Sequence, residues 1–193
     1  MTKRLLLALL LVVTGISTLL VGCVPLLVAG AVGGTALVAA DRRSVGAQAD
    51  DEAIELKIGN NIGTGYGDRV HANVTSYNGI VLLSGEVPSA ELVKSIGEIA
   101  RSTAKVRTVH DELTAAQVSS VGSRTNDSYI TSKVKARFVE ANKFAPNHVK
   151  VVTERQVVYL MGLVRREEAD TATQIAATTS GVVRVVKLFE YIS

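Results

Sequence analysis

Cysteine occurs once in this sequence of 193 residues, tryptophan not at all, and histidine and proline three times each. A lone cysteine excludes an internal disulfide, and a thiolate-based metal site needs several. The formal net charge is +3, and Lys3 and Arg4 account for two of it. The remainder is nearly neutral, which excludes a whole-protein basic field for nucleic acid. No serine or threonine stands in a nucleophile elbow or beside a histidine in a readable pattern, so no catalytic residues are assigned and the chain does not read as an enzyme. The run Gly63-Thr64-Gly65-Tyr66-Gly67 follows a helical pattern and precedes a strand. Cradling a phosphate requires the reverse order. His110 is isolated, and the pair Glu167-Glu168 lies where a helix begins, a position that the helix dipole alone explains.

What is present begins at the N-terminus. Lys3 and Arg4 precede an uncharged apolar run, Leu5 to Leu19, and Leu20-Val21-Gly22-Cys23 follows. That is the layout of a secretory signal with a lipobox-like end, so residues 1–22 read as a lipoprotein signal peptide. Cys23 is then the lipidation site, carrying a covalent diacylglycerol and an N-acyl lipid as the only non-protein groups expected; no other cofactor and no metal is assigned. Several acyl chains hold far more firmly than one, since each buried CH2 contributes about 0.8 kcal/mol. Val24 is not the aspartate that retains enteric lipoproteins in the inner membrane, so inner-membrane retention is not expected. Residues 23–49 read as a lipidated tether and linker, apolar to Ala40 and polar from Asp41.

The rest is a duplication. Placing Gly85 on Gly162 aligns Val81 with Val158, Leu83 with Leu160, Val87 with Val164 and His71 with His148, all 77 residues apart. Upstream the offset is 76, with Ile54 on Ile130 and Ile58 on Val134. Two copies mean paired small domains and not a solenoid. The matched histidines read as inherited structural residues. Each copy opens with apolar residues at helical spacing: Ile54, Ile58 and Ile62, then Ile130, Val134, Phe138 and Ala141. Two short strands follow, Val70 to Ser76 and Ile80 to Val87 in the first copy, joined by Asn78-Gly79, which suits a type I′ hairpin. Arg155-Gln156 occupies that place in the second copy, so a different or longer turn is expected there. Ser89 is a predicted N-cap for a helix to about Thr103, matched by Arg166 to Ser180, and Val106 to Thr114 and Val182 to Ile192 are final strands. The fold class is α+β, two α-β-β-α-β domains over residues 50–116 and 124–193 with a linker at 117–123, each a three-stranded mixed sheet covered by two helices.

The strand Gly79 to Val87, its partner Val157 to Val164 and the endings Val106-x-x-Val109 and Val183-x-x-Val186 resemble the BON family, the bacterial OsmY and nodulation domain. Over the whole chain, Arg42-Arg43-Ser44-Val45-Gly46 and Asn126 to Val134 are similar to the dual-domain outer-membrane lipoproteins of that family. The resemblance implies a non-enzymatic periplasmic protein that supports outer-membrane integrity and recognises anionic phospholipid, of the phosphatidylglycerol kind, through the first helix of its second domain. The chain departs from the pattern at Tyr129, where tryptophan is expected, and in lacking a glycine at the second hairpin.

The two first helices differ in charge. Asp50 to Ile62 carries a net −3 and Asn126 to Lys143 a net +2, so only the second can welcome an anionic surface. On a wheel of about 100° per residue from Ile130, Val139 falls at about 180°, Ala136 at about 240° and Tyr129 at about 260°, away from the core. Lys135, Ser132 and Lys143 lie around them. With Lys133 and with Phe138 at the edge of the core face, these residues form the candidate phospholipid-binding face. The alternative function is an adaptor that docks outer-membrane assembly or cell-wall proteins.

Overall fold

The computed structural model describes residues 41–193, so the signal peptide, Cys23 and most of the tether lie outside the described residues. The first copy consists of helix α1 (Val45–Tyr66), strands β1 (His71–Tyr77) and β2 (Ile80–Val87), helix α2 (Ala90–Arg101) and strand β3 (Thr108–Ala115). The second repeats it with α3 (Val121–Ala141), β4 (Val149–Glu154), β5 (Val157–Val164), α4 (Arg166–Ala177) and β6 (Arg184–Tyr191). There are two separate three-stranded sheets. In each the second strand is central, antiparallel to the first and parallel to the third.

The helices lie on one face of each sheet. Ile54, Ile58 and Ile62 of α1 pack on Val81, Leu83 and Val87 with Ile96 and Ala100 of α2. Ile130, Val134 and Phe138 of α3 pack on Val158, Leu160 and Val164 with Ala169, Ala172 and Ala176 of α4. The alanines let α4 lie close where α2 needs isoleucine. The other faces of the two sheets meet each other: Tyr77 and Leu82 share one buried cluster with Tyr159, Met161 and Leu188. Burial on both faces explains why Val81-Leu82-Leu83 and Val158 to Met161 are continuous apolar runs and not alternating ones.

Both glycines used to align the repeats are required by the backbone. A Cβ on Gly85 would stand 2.0 Å from the carbonyl oxygen of His71, and Gly85 also has φ +117°. On Gly162 it would stand 2.3 Å from the carbonyl oxygen of His148.

Several expectations are corrected. Helix α1 starts at Val45 and runs through Tyr66, so residues 45–49 are helix, not linker, and the glycine-rich run is its last turn. Helix α3 starts at Val121, inside the predicted linker, and ends at Ala141, where Asn142 turns left-handed and closes it. The second hairpin is no longer than the first: Arg155 (φ 49°) and Gln156 (φ 63°) both adopt the positive φ of Asn78 and Gly79. What makes this tolerable is Asp127, whose carboxylate accepts from the backbone N–H groups of Arg155 (3.0 Å) and Gln156 (2.9 Å). Asp51 does the same for Asn78 (2.7 Å) and Gly79 (2.8 Å). The two aspartates are 76 residues apart, at the offset of the helices, and both are buried.

Candidate functional site

Helix α3 lies on the outside of its domain, with Asp127, Ile130, Val134 and Phe138 turned inward. Because the sheets meet through their opposite faces, the first domain packs against the far side of the β4–β5–β6 sheet, and it borders α3 at a cleft where His71 and Asn73 face Arg124, Asp127 and Thr131. The outward face carries Tyr129 and Val139, each 62% exposed, with Ser132, Lys135 and Ala136 exposed between them. Among the described residues Val45, Leu56, Val121 and Val183 are more open still, and Val121 with Tyr129 and Val139 places three exposed apolar side chains on α3.

The predicted face is trimmed in three places. Phe138 is fully buried, edge-on to Phe144 with ring centroids 5.1 Å apart, so it belongs to the core and not to a docking surface. Burying such a ring stabilises the domain by about 2–3 kcal/mol. Lys133 is half-buried; its ammonium donates to the carbonyl of Ser180 and sits 4.7 Å from the centre of the Tyr129 ring. It braces Tyr129 from the side. Lys143 is exposed but lies beyond the end of the helix, so the helical wheel does not set its direction.

The charge contrast between α1 and α3 also changes. Asp51 and Asp127 are spent on the hairpins and are not surface charges. Arg137 donates to the carbonyl of Ile175 (2.9 Å) and to Thr179 (2.8 Å), tying α3 to α4. Lys135 and Lys143 are exposed cations of this region, beside exposed Glu140. On α1, Glu55 is paired with Lys150 of the second domain at 2.8 Å, and Asp50 with Lys105 at 2.5 Å.

Sequence reasoning missed the polar fittings at the edges of the seam between the sheets. The supposed linker residue Arg42 makes two hydrogen bonds to Glu168 (2.6 and 2.8 Å) and one to the carbonyl of Leu163 (2.8 Å), all in the second domain. Arg43 turns the other way, to Asp51 at 2.8 Å, and stacks 4.0 Å over the Tyr77 ring. The hydrogen bonds from Arg42, opposed by partial burial, hold the Glu168 carboxyl down at about 2. Elsewhere on the seam Asn78 and Arg107 both bind Glu190, at 2.7 and 2.8 Å. Burial and the neighbouring Glu112 carboxylate push the Tyr159 hydroxyl up to about 12. At another edge His71 lies 3.5 Å from Glu154, which accepts from Asn73 at 2.8 Å, while burial holds the Glu154 carboxyl above its ordinary range. A signal for the aspartates was available in the repeat offset. For the arginines there was none beyond the pairing of two basic residues.

The comparisons with known proteins agree with this architecture. The BON domain model matches residues 50–117 and 126–193. The chain is 34% identical over 186 residues to the outer membrane lipoprotein DolP of Haemophilus influenzae, covering 94% of each chain. It is 31% identical over 154 residues to the 21 kDa hemolysin of Actinobacillus pleuropneumoniae, covering 79% of each, and 33% identical over 106 residues to the osmotically-inducible protein Y of Escherichia coli, covering 53% of each. Two domain matches and collinearity with a lipoprotein over nearly its whole length have one reading: the chain belongs to the BON family, among its tandem-domain outer-membrane lipoproteins.

Proposed function

We propose that this outer-membrane lipoprotein binds anionic phospholipid through the outward face of α3 and thereby supports the integrity of the membrane that anchors it. The carrying observation is the pair Tyr129 and Val139, both 62% exposed on the uncovered side of a helix whose other side is core. Apolar side chains of this kind enter the headgroup region, and Ser132 and Ala136 between them offer no bulk to oppose it. Lys135 and Lys143 add about 1 kcal/mol each against an anionic surface. The helix is therefore an interfacial contact. In this reading the role is non-enzymatic, and Cys23 is the acylated residue that holds the chain at the outer membrane.

The test uses a soluble chain starting at Asp41, which keeps Arg42 and Arg43. Co-sedimentation with phosphatidylglycerol vesicles is expected for the wild type and lost in Tyr129→Glu combined with Val139→Glu, with unchanged circular dichroism. Raised salt weakens wild-type binding in proportion to the share carried by the lysines. Persistent binding by the folded double variant assigns the lipid contact elsewhere, and a wild type that ignores pure lipid favours the adaptor. Separately, Cys23→Ser in the full chain is expected to abolish lipid processing, read as loss of the acylated form by mass.

A further inference from the structure

The seam between the sheets carries one cluster that neither the fold nor the lipid-binding face uses. His71 at the start of β1 and Glu86 near the end of β2 are cross-strand partners in the first domain, and Glu154 ends β4 in the second. One ligand atom from each lies within 4.8 Å of the others, and His71 Nε2 is 3.5 Å from Glu154 Oε1. A tetrahedral ion with bonds of about 2.0–2.1 Å sets its ligands about 3.4 Å apart, so one edge is already at length and the others need a modest contraction.

Each carboxylate is oriented by its outer oxygen. Glu154 Oε2 accepts from the Asn73 amide at 2.8 Å, and Glu86 Oε2 accepts from the Ser119 backbone N–H at 3.2 Å. This leaves Oε1 of Glu154 beside His71 and Oε1 of Glu86 without a hydrogen bond, and outer hydrogen bonds of this kind are what orient metal ligands. Glu86 is 1% exposed, and its Oε1 accepts no hydrogen bond. Its nearest cation is Arg155, whose Nε stands 3.9 Å away on a half-exposed side chain that can yield the place. A buried carboxylate oxygen without a donor is costly, and an ion removes that cost. An open cleft of about 430 Å³ lined by His71, Asn73, Arg124, Asp127 and Glu154 reaches two of the three ligands.

We propose that His71, Glu86 and Glu154 form a binding site for a divalent metal of the zinc class, with solvent in the fourth position. One imidazole and two carboxylates suit such an ion, and two ligands from one domain with one from the other make it a clamp across the seam. The site stands independently of the lipid reading. Neither Glu86 nor Glu154 has an acidic counterpart in the other copy: 77 residues away stand Leu163 and Tyr77. His71 does have one, His148, which provides an internal control.

The test titrates zinc chloride into the full chain, purified in detergent and stripped of metal by a chelator, and follows heat and thermal unfolding. One equivalent is expected to bind and to raise the Tm, because an ion that binds only the folded state stabilises it. Glu86→Gln and His71→Ala should each weaken binding at least tenfold, whereas His148→Ala should bind as wild type does. A wild type that shows no saturable one-equivalent binding overturns the site. So does wild-type affinity in both ligand variants, and if circular dichroism shows Glu86→Gln unfolded, His71→Ala alone decides.

Discussion

Repeat-equivalent positions at two edges of the seam have gone separate ways. At one edge stand His148, Leu163 and Tyr77, closed over by Arg42 and Arg43. At the other the same three positions hold His71, Glu86 and Glu154, a histidine with two buried carboxylates, where the segment before α3 contributes the Ser119 backbone N–H and not a pair of arginines. Positions that shape the backbone did not diverge: Gly85 and Gly162 admit the neighbouring strand, and Asp51 and Asp127 hold the hairpins. Duplication here kept what each domain needs in order to fold. It changed what each domain shows to the other and, on α3, what it shows to the outside.

That division can be broken at its strictest point first. Gly85→Ala combines a contact of 2.0 Å with φ +117°, and its cost is about 4 kcal/mol from overpacking and backbone strain together. Gly162→Ala has the contact alone and costs about 2 kcal/mol. Equal losses in chemical denaturation would mean that φ contributes nothing. Next, Arg42→Ala removes a charge-assisted pair and a carbonyl bond, for about 2 kcal/mol at neutral pH. Glu168 is depressed in the folded state, so its share is complete above the ordinary value of 4.5 and is lost as pH falls through about 2. Between those values the Arg42→Ala variant should lose less stability than the wild type, which acid titration of the Tm reads directly.

Smaller effects sharpen the comparison of the hairpins. Replacing Arg155-Gln156 by Asn-Gly relieves two left-handed residues and should gain about 1 kcal/mol, less the entropy that glycine adds to the unfolded chain. It should also soften the loss in Asp127→Ala, since the turn then needs less help from the carboxylate. Smallest of all, Tyr129→Glu and Val139→Glu on the exposed face should shift stability by no more than about 0.5 kcal/mol. A larger loss in urea would mean that α3 is covered.

The element order and the outward direction of Tyr129 and Val139 were legible because periodicity reports which side of an element is apolar, whereas the central place of β2 and β5 was not read. The sheet-to-sheet contact was written in the sequence too, in Leu82, Tyr159 and Met161, but an apolar run cannot say what lies against each face. Charge was the poorest guide. A tally over α1 and α3 treats every acid as solvated, whereas Asp51 and Asp127 are buried against turn amides and Arg137 is folded back onto α4. Phe138 showed the limit of the wheel: at about 80° from Ile130 it stands at the edge of the core face, and Phe144 on the following loop completes its burial. Arg42 looked like linker because its partner Glu168 is 126 residues off in sequence.

The strap also has a mechanical meaning. Adjacent residues Arg42 and Arg43 grip different domains, one at Glu168 and the other at Asp51 and Tyr77. Tension on the chain from the lipid-anchored side meets these two grips before it reaches α1. A pull from that side is therefore divided between the two domains at adjacent residues before it bears on the first helix.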